Sequence, residues 1–152
     1  MQTCAGKDAA MREREIVQIL AKRLAEEGVS MTVRYGPVRG PDIEGQLPRS
    51  RRRFFIEAKG ERPGGAETAK RRVAMGEVLL QILPVYDRDV VCAIALPNHP
   101  GYRRLVRRIL PGLLRLDMHV FFVDNEGIRH LSPNASGFLP RKVHSVSEAL
   151  ES

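Results

Sequence analysis

The spacing of hydrophobic residues changes several times along the chain, and each change marks a predicted element. In residues 8–27, apolar side chains recur at helical spacing at Ile16, Val17, Leu20 and Leu24, which predicts a first amphipathic helix. Short alternating or continuous apolar runs between glycine and proline breaks are typical of strands. Such runs occupy residues 31–35, 42–47, 53–59, 90–96, 118–123 and 128–131.

Two further segments have helical periodicity. Residues 66–83 present an apolar face, and residues 100–110 form the next helical pattern. The predicted apolar face of residues 66–83 consists of Val73, Met75 or Gly76, Leu79, Leu80 and Leu83. The resulting order is helix, three strands, helix, strand, helix, strand and a terminal hairpin. Strands that first follow one another and then alternate with helices predict an α/β fold, with a mixed sheet flanked by helices.

The length of the chain indicates a single domain. Its 152 residues, 43% of them hydrophobic, are enough to bury a core without disulfide or metal cross-links. We expect the core to occupy about residues 8–131. Residues 132–152 are polar, with one short helical pattern at 146–151, and are predicted to be a tail.

The charge of the chain indicates its class of partner, and its cysteine content indicates its compartment. A formal net charge of +7 favours polyanionic partners, because basic side chains gain free energy by displacing counterions from phosphates. The two cysteines are too few for a disulfide framework, which predicts a reducing compartment. Residues 1–7 contain no signal-like apolar run, and no run approaches the length of a membrane span. We therefore expect a soluble, cytoplasmic protein without a membrane partner.

Candidate catalytic residues lie in and before the third predicted strand. Since side chains alternate faces along a strand, Glu57 and Lys59 project from one face, while Phe54 and Ile56 project from the other. Asp42 begins the second predicted strand and can be supplied from a neighbouring turn or strand. Two carboxylates and an ammonium group at one point are the chemistry of a metal-dependent phosphodiesterase.

The first helix offers a further acid. At about 100° per residue, Glu13 falls in the angular sector of the apolar residues Val17 and Leu20. Glu15 falls on the opposite side. Glu13 can therefore lean over a site at the end of the helix, or it can pair with a neighbouring arginine in the first turn.

These residues resemble a known superfamily of nucleases. Pro41-Asp42, a gap, the apolar Phe54-Phe55-Ile56 and then Glu57-Ala58-Lys59 are similar to the motif of the PD-(D/E)XK, or restriction-endonuclease-like, nucleases. Residues 12–15 are similar to the first helix of Holliday junction resolvases. The resemblance covers about residues 10–125 and implies an αβββαβ core.

The resemblance also implies a metal site. Asp42, Glu57 and the carbonyl of Ala58 would bind Mg²⁺ or Mn²⁺, and Glu13 would help to position the ion or a second one. Lys59 would orient or deprotonate the attacking water, or stabilise the charged transition state.

A glutamine of the second core helix often completes the site in this superfamily. Members place it directly after a glycine, where this chain has Glu77, and Gln81 is the alternative on the same helical face.

Arginine clusters supply candidate phosphate contacts. A loop expected beside the site carries one cluster, and the start of the second helix carries another; both are predicted to contact nucleic acid. The loop cluster is Arg49, Arg51, Arg52 and Arg53, and the helix cluster is Lys70, Arg71 and Arg72. A third group on one side of the third helix is equally well explained as a solvated face: Arg103, Arg104, Arg107 and Arg108.

The sequence therefore predicts a Mg²⁺-dependent endonuclease that hydrolyses phosphodiester bonds in DNA. Recognition of DNA shape, in repair or in mobile elements, fits a chain of this length better than long-site recognition. Many members of the superfamily dimerise to cut two strands, so a homodimer is one option. The alternative function is a nucleic-acid-binding or assembly module that keeps the nuclease fold without cleaving.

Overall fold

The computed structural model of the chain describes residues 11–36, 38–61 and 68–152. These residues form four α-helices and seven β-strands. The helices are α1 (Glu13–Glu26), α2 (Thr68–Ile82), α3 (Pro100–Arg115) and α4 (Val146–Leu150). The strands are β1 (Met31–Val33), β2 (Ile43–Gln46), β3 (Arg53–Ala58), β4 (Val91–Pro97), β5 (His119–Asp124), β6 (Gly127–Leu131) and β7 (Arg141–Val143).

The seven strands form one mixed sheet in which spatial order follows chain order. β1, β2 and β3 pair antiparallel, β3, β4 and β5 pair parallel, and β5, β6 and β7 pair antiparallel again. Parallel neighbours need a crossover, and α2 and α3 supply the two crossovers. The predicted α/β class, with a mixed sheet flanked by helices, is confirmed.

Two hydrophobic clusters lie on opposite faces of this sheet. Phe54 and Ile56 pack in the cluster that contains the apolar residues of α1 and α4, whereas Phe55 packs with those of α2 and α3. Because side chains alternate along β3, Glu57 projects to the α2 side, as Phe55 does. The predicted division of β3 into a core face and a site face thus corresponds to the two sides of the sheet.

The predicted apolar face of α2 was wrong in part: Met75 is buried and Leu79 packs against the cluster on this side of the sheet, but three other members are exposed. Val73, Leu80 and Leu83 are 55%, 74% and 43% exposed. The buried positions of α2 follow a separate helical stripe: Arg71, Ala74, Met75, Val78 and Ile82. Apolar residues occur on both sides of this helix, so periodicity alone could not identify the side that packs against the sheet.

The helix boundaries also differ from the prediction. α1 begins at Glu13, after the non-helical residues 11–12, and the predicted start at residues 8–10 lies outside the described residues. The predicted start of α2 at residues 66–67 also lies outside them. α3 continues through Pro111 to Arg115 because Leu113, in its last turn, is buried and anchors that turn. Across the described ranges, none of the helices has both the length and the apolar character needed to span a bilayer.

The segment predicted to be a polar tail packs into the domain. Residues 132–152 contain β7, which was not predicted, and α4, which was. Val146 and Leu150 are buried in the cluster that contains α1. The Glu27 carboxylate, after the end of α1, accepts hydrogen bonds from the backbone N–H groups of Val146 and Ser147, at 3.1 and 3.3 Å. The core therefore extends beyond residue 131.

Gly45 in β2 marks a close approach between strands. A Cβ atom at this position would lie 2.4 Å from the carbonyl oxygen of Ser30 and 2.9 Å from the ring of Phe54. These separations are far below a van der Waals contact, so only glycine fits.

Candidate active site

A cavity of about 530 Å³ lies at the carboxyl end of β3. All five residues predicted to be catalytic line it: Glu13, Asp42, Glu57, Lys59 and Gln81. The rest of its wall comes from the connection between β1 and β2 and from the 3₁₀ turn that follows α2, through Gly36, Val38, Gly40, Pro41 and Val85. Residues separated by up to 72 positions in sequence thus surround one space.

The hairpin of β2 and β3 brings Asp42 to the site. Ile43 pairs with Ile56, so Asp42, one residue earlier, reaches the end of β3. An Asp42 carboxylate oxygen accepts a hydrogen bond of 2.8 Å from the backbone N–H of Ala58. A strand residue directs its N–H and C=O to the same side. The carbonyl of Ala58 therefore faces the Asp42 side of β3.

The carboxyl groups of Asp42 and Glu57 share a hydrogen bond. Burial and, after it, the nearby charge of Asp42 together raise the pKa of Glu57 to about 8. Burial also raises the pKa of Asp42, opposed by the hydrogen bonds from Ala58 and Glu57 and by the charge of Lys59. The physical cause is that two desolvated acids in contact resist carrying two negative charges. The pair therefore retains a proton more readily than two separate, solvated carboxyl groups would.

Lys59 is paired across the site with α2. Its ammonium nitrogen lies 2.5 Å from a carboxylate oxygen of Glu77, and its side chain is 14% exposed. Gln81, one helical turn after Glu77, lines the cavity. The two candidates for the glutamine position on α2 therefore differ: Glu77 forms an ion pair with Lys59, and Gln81 lines the cavity.

Gly60 allows the start of α1 to reach the end of β3. A Cβ atom on Gly60 would lie 2.0 Å from the backbone nitrogen of Glu13, the first residue of α1. The next residue, Glu61, donates its backbone N–H to the carbonyl of Met11 at 3.0 Å. Glu13 is held beside the cavity in this way, and its charge contributes to the raised pKa of Glu57. Sequence reasoning missed Gly60, although a glycine directly after Glu-X-Lys was the available signal.

A metal ion at this site would need ligand atoms from the residues that surround the cavity. Across the described ranges, His, Cys, Asp and Glu side chains do not gather in groups of three or more that could hold a metal ion. Glu13 lines the cavity but does not join Asp42 and Glu57 in such a group. Mg²⁺ keeps several waters and is bound through one or two carboxylates together with substrate phosphates. Two adjoining carboxyl groups and the carbonyl of Ala58 are oxygen donors of this kind, so the residues fit Mg²⁺ or Mn²⁺.

The prediction that the loop arginines lie beside the site was wrong. Residues 49–53 connect the far ends of β2 and β3, and Arg53 precedes Glu57 by four residues, about 13 Å along a strand. The antiparallel pairing that places Asp42 at the end of β3 places the loop at the opposite end. Arg52 donates to the backbone carbonyl of Arg88 at 3.1 Å.

Other side chains of this loop pair with acids outside the cavity. The Arg49 guanidinium is 3.7 Å from Glu148, and that of Arg53 is 3.6 Å from Glu44. Glu44 also pairs with Arg34 at 2.5 Å. Although Glu44 follows Asp42 by only two positions, it does not line the cavity.

The members of the basic cluster of α2 differ in their exposure to solvent. Arg71 is buried and forms an ion pair with Glu61, with 2.8 Å between its Nε and a carboxylate oxygen. Its side chain is only 8% exposed, which leaves little surface for the predicted phosphate contact of Arg71. Lys70 and Arg72 are exposed at the start of α2.

No protein-family model, curated protein or solved structure matches this chain. The assignment to the PD-(D/E)XK superfamily therefore stays a prediction that rests on the motif and its context.

Proposed function

We propose that the chain is a metal-dependent DNA endonuclease with a restriction-endonuclease-like αβββαβ core. The observation that carries this proposal is the carboxyl pair of half-buried Asp42 and buried Glu57 beside Lys59, in a cavity of about 530 Å³. The order α1, β1, β2, β3, α2, β4 supports the same class.

The energetics of the carboxyl pair favour a functional role. Burying two acids in contact costs stability, and a structural role alone would be served better by an apolar or oppositely charged pair. Strongly shifted pKa values in a cleft are concentrated at functional sites, where they are matched to proton or cation chemistry. A divalent cation would neutralise both carboxylates and remove this cost.

Each residue has a role that follows from its position. Asp42, Glu57 and the Ala58 carbonyl would hold Mg²⁺ or Mn²⁺, with Glu13 at the edge of the same cavity. The bound cation would lower the pKa of a water molecule and neutralise charge on the phosphate.

The chain's own side chains would complete the site. The Lys59 ammonium, held on the cavity side by Glu77, would orient the attacking water or stabilise negative charge that develops on the phosphate. The Gln81 amide can donate a hydrogen bond to that water or to a phosphate oxygen.

The net charge of +7 supports a polyanionic substrate. We propose DNA recognised by shape, as in repair or in mobile elements.

Incubation of plasmid, single-stranded and branched DNA with Mg²⁺ or Mn²⁺ tests this function. We expect cleavage by the native chain, and a loss of at least about 10²-fold in Asp42→Ala and Lys59→Ala, the scale on which catalytic groups contribute. Lys22→Ala and Glu126→Ala are matched controls, because both side chains are exposed and lie outside the cavity.

Cleavage retained by both site variants would refute the site assignment. Absence of cleavage by the native chain, together with salt-sensitive DNA binding, would favour the non-cleaving module.

A further inference from the structure

Basic side chains converge at the start of α3, beside the candidate active site. His99 directly precedes α3, and burial together with the charges of Arg71, Arg104 and Arg103 lowers its pKa. His99 and Arg103 are half-buried and Arg104 is exposed. We call His99, Arg103 and Arg104 the α3 basic patch. The guanidinium charges of Arg103 and Arg104, adjacent in the first turns of α3, favour a polyanionic partner.

A continuous chain of contacts joins the patch to the cavity. Glu61 follows Lys59 by two residues, at most about 7.6 Å between Cα atoms. The Glu61 carboxylate holds Arg71, and the Arg71 Nη2 lies 3.4 Å from the His99 Nε2.

Arg103 is oriented before any ligand binds. Its Nη1 donates to the side-chain oxygen of Asn98 at 3.1 Å, and the Asn98 amide donates to Asp124 at 2.8 Å. Asn98 and Asp124 stand at the carboxyl ends of β4 and β5, the same edge of the sheet as the end of β3. A guanidinium fixed in this way loses less conformational entropy when it binds a phosphate.

Arg107, one turn further along α3, contacts an aromatic ring and is not part of the patch. The Arg107 guanidinium lies over the ring of Phe138, 4.7 Å from its centroid. The part of α3 that faces the site edge is therefore its first turn. The arginines at residues 49–53, by contrast, are at the opposite end of β3.

We propose that the α3 basic patch binds the phosphodiester backbone of DNA next to the segment that enters the cavity. The proposal rests on the proposed nuclease function for what happens to that DNA in the cavity. His99 and Arg104 would contact phosphate oxygens from the surface, and Arg103 would contribute the guanidinium N–H groups that Asn98 does not use.

Equilibrium binding tests this surface separately from catalysis. Fluorescence anisotropy of a labelled DNA duplex is measured in EDTA over a series of salt concentrations, so that no cleavage occurs. We expect Arg104→Gln and Arg103→Gln each to weaken binding by at least about threefold near 0.1 M salt and to reduce the salt slope by about one. Arg49→Gln and Arg51→Gln remove the same charge from the loop at the far end of β3 and should change neither.

Each outcome decides the proposal. Equal losses in the patch and loop variants would mean that only net charge matters, and would overturn the proposal, as would unchanged binding in Arg104→Gln. Absence of DNA binding by the native chain would also overturn it. Arg104 is exposed, so unchanged thermal unfolding of Arg104→Gln should exclude a folding defect.

Lys59→Ala separates the two proposals. It should bind DNA as the native chain does while losing cleavage. Patch-dependent binding without any cleavage would leave the surface intact and refute the nuclease. Cleavage that the patch variants do not change would support the nuclease and refute the DNA-binding role of the patch.

Discussion

Replacing Glu57 by glutamine should stabilise the protein at neutral and alkaline pH. The substitution keeps the shape of the side chain and an N–H donor for Asp42, and it removes a charge that the buried site disfavours. In the folded protein the pKa of Glu57 is about 8, against 4.5 for an ordinary glutamate. The folded state thus binds a proton more tightly than the unfolded state does.

The sign and size of the effect follow from proton linkage. Since the folded state holds more protons between pH 4.5 and 8, the native free energy of unfolding falls as pH rises through this window. At pH 7 the interval of 2.5 units corresponds to about 3 kcal/mol, at 1.36 kcal/mol per unit. For a domain of this size, that is a difference of about 6–12 °C in the unfolding temperature.

Thermal and urea unfolding in EDTA at pH 5, 7 and 9 measure this difference. Glu57→Gln should unfold close to the native protein at pH 5 and well above it at pH 7 and 9. Glu126→Gln, an exposed acid in the turn before β6, should show no such divergence. Millimolar Mg²⁺ at pH 8 should raise the native unfolding temperature and leave that of Glu57→Gln nearly unchanged, because a ligand stabilises only the state that binds it.

Two results would refute this reasoning. If Glu57→Gln unfolded below the native protein at every pH, the carboxyl would be a stabilising group and not a strained one. If the difference between the two proteins were the same at pH 5 and pH 9, the pKa of Glu57 would not be raised.

Three further predictions test close or buried contacts, two of them near the site. Gly60→Ala should cost about 1–3 kcal/mol of stability by overpacking and should reduce cleavage by displacing the start of α1; native urea unfolding and activity would contradict the close approach. Glu61→Gln should lower the free energy of unfolding by about 3–5 kcal/mol, because the buried Arg71 guanidinium loses its ion pair. The double variant Glu61→Leu with Arg71→Met should recover most of this stability. Equal losses in the two proteins, measured by urea unfolding, would contradict the prediction. The pKa values of the stacked pair His119 and His130 are lowered to about 3 and about 4 by burial, so native stability should fall as pH drops below 6.5, by about 2 kcal/mol for each histidine at pH 5. Replacing both histidines with phenylalanine should remove this contribution, and an unchanged difference between pH 7 and pH 5 would contradict it.

Alternation of apolar and polar residues along a single strand predicted the two faces of β3. Glu57 and Lys59 project from one face of β3 because the period of a strand is two, and their apolar neighbours define the other face. Helical periodicity similarly placed Glu13 on the side of α1 that packs. Both inferences use only local geometry, which the sequence contains.

The inferences that failed needed information from distant parts of the chain. The loop arginines are close to Glu57 in sequence, but the hairpin extends them away from it, by a distance that the length of β3 sets. The packed side of α2 depends on which stripe meets the sheet, and its sequence offers two. β7 (Arg141–Val143) is short and mostly exposed, so its pairing with β6 leaves no periodic pattern.

Gly45 determines more than a local contact, because it fixes the alignment of β2 against β3. A shift of one residue would place Glu44 or Gln46 where a side chain meets the ring of Phe54 in β3, and the collision would disfavour that pairing. The same shift would turn every side chain of β2 to the other face. It would also move Asp42 by about 3.3 Å relative to Glu57 and break its hydrogen bond to Ala58. A residue without a side chain, remote from the cavity, thus disfavours the misaligned hairpins in which the two acids would never meet.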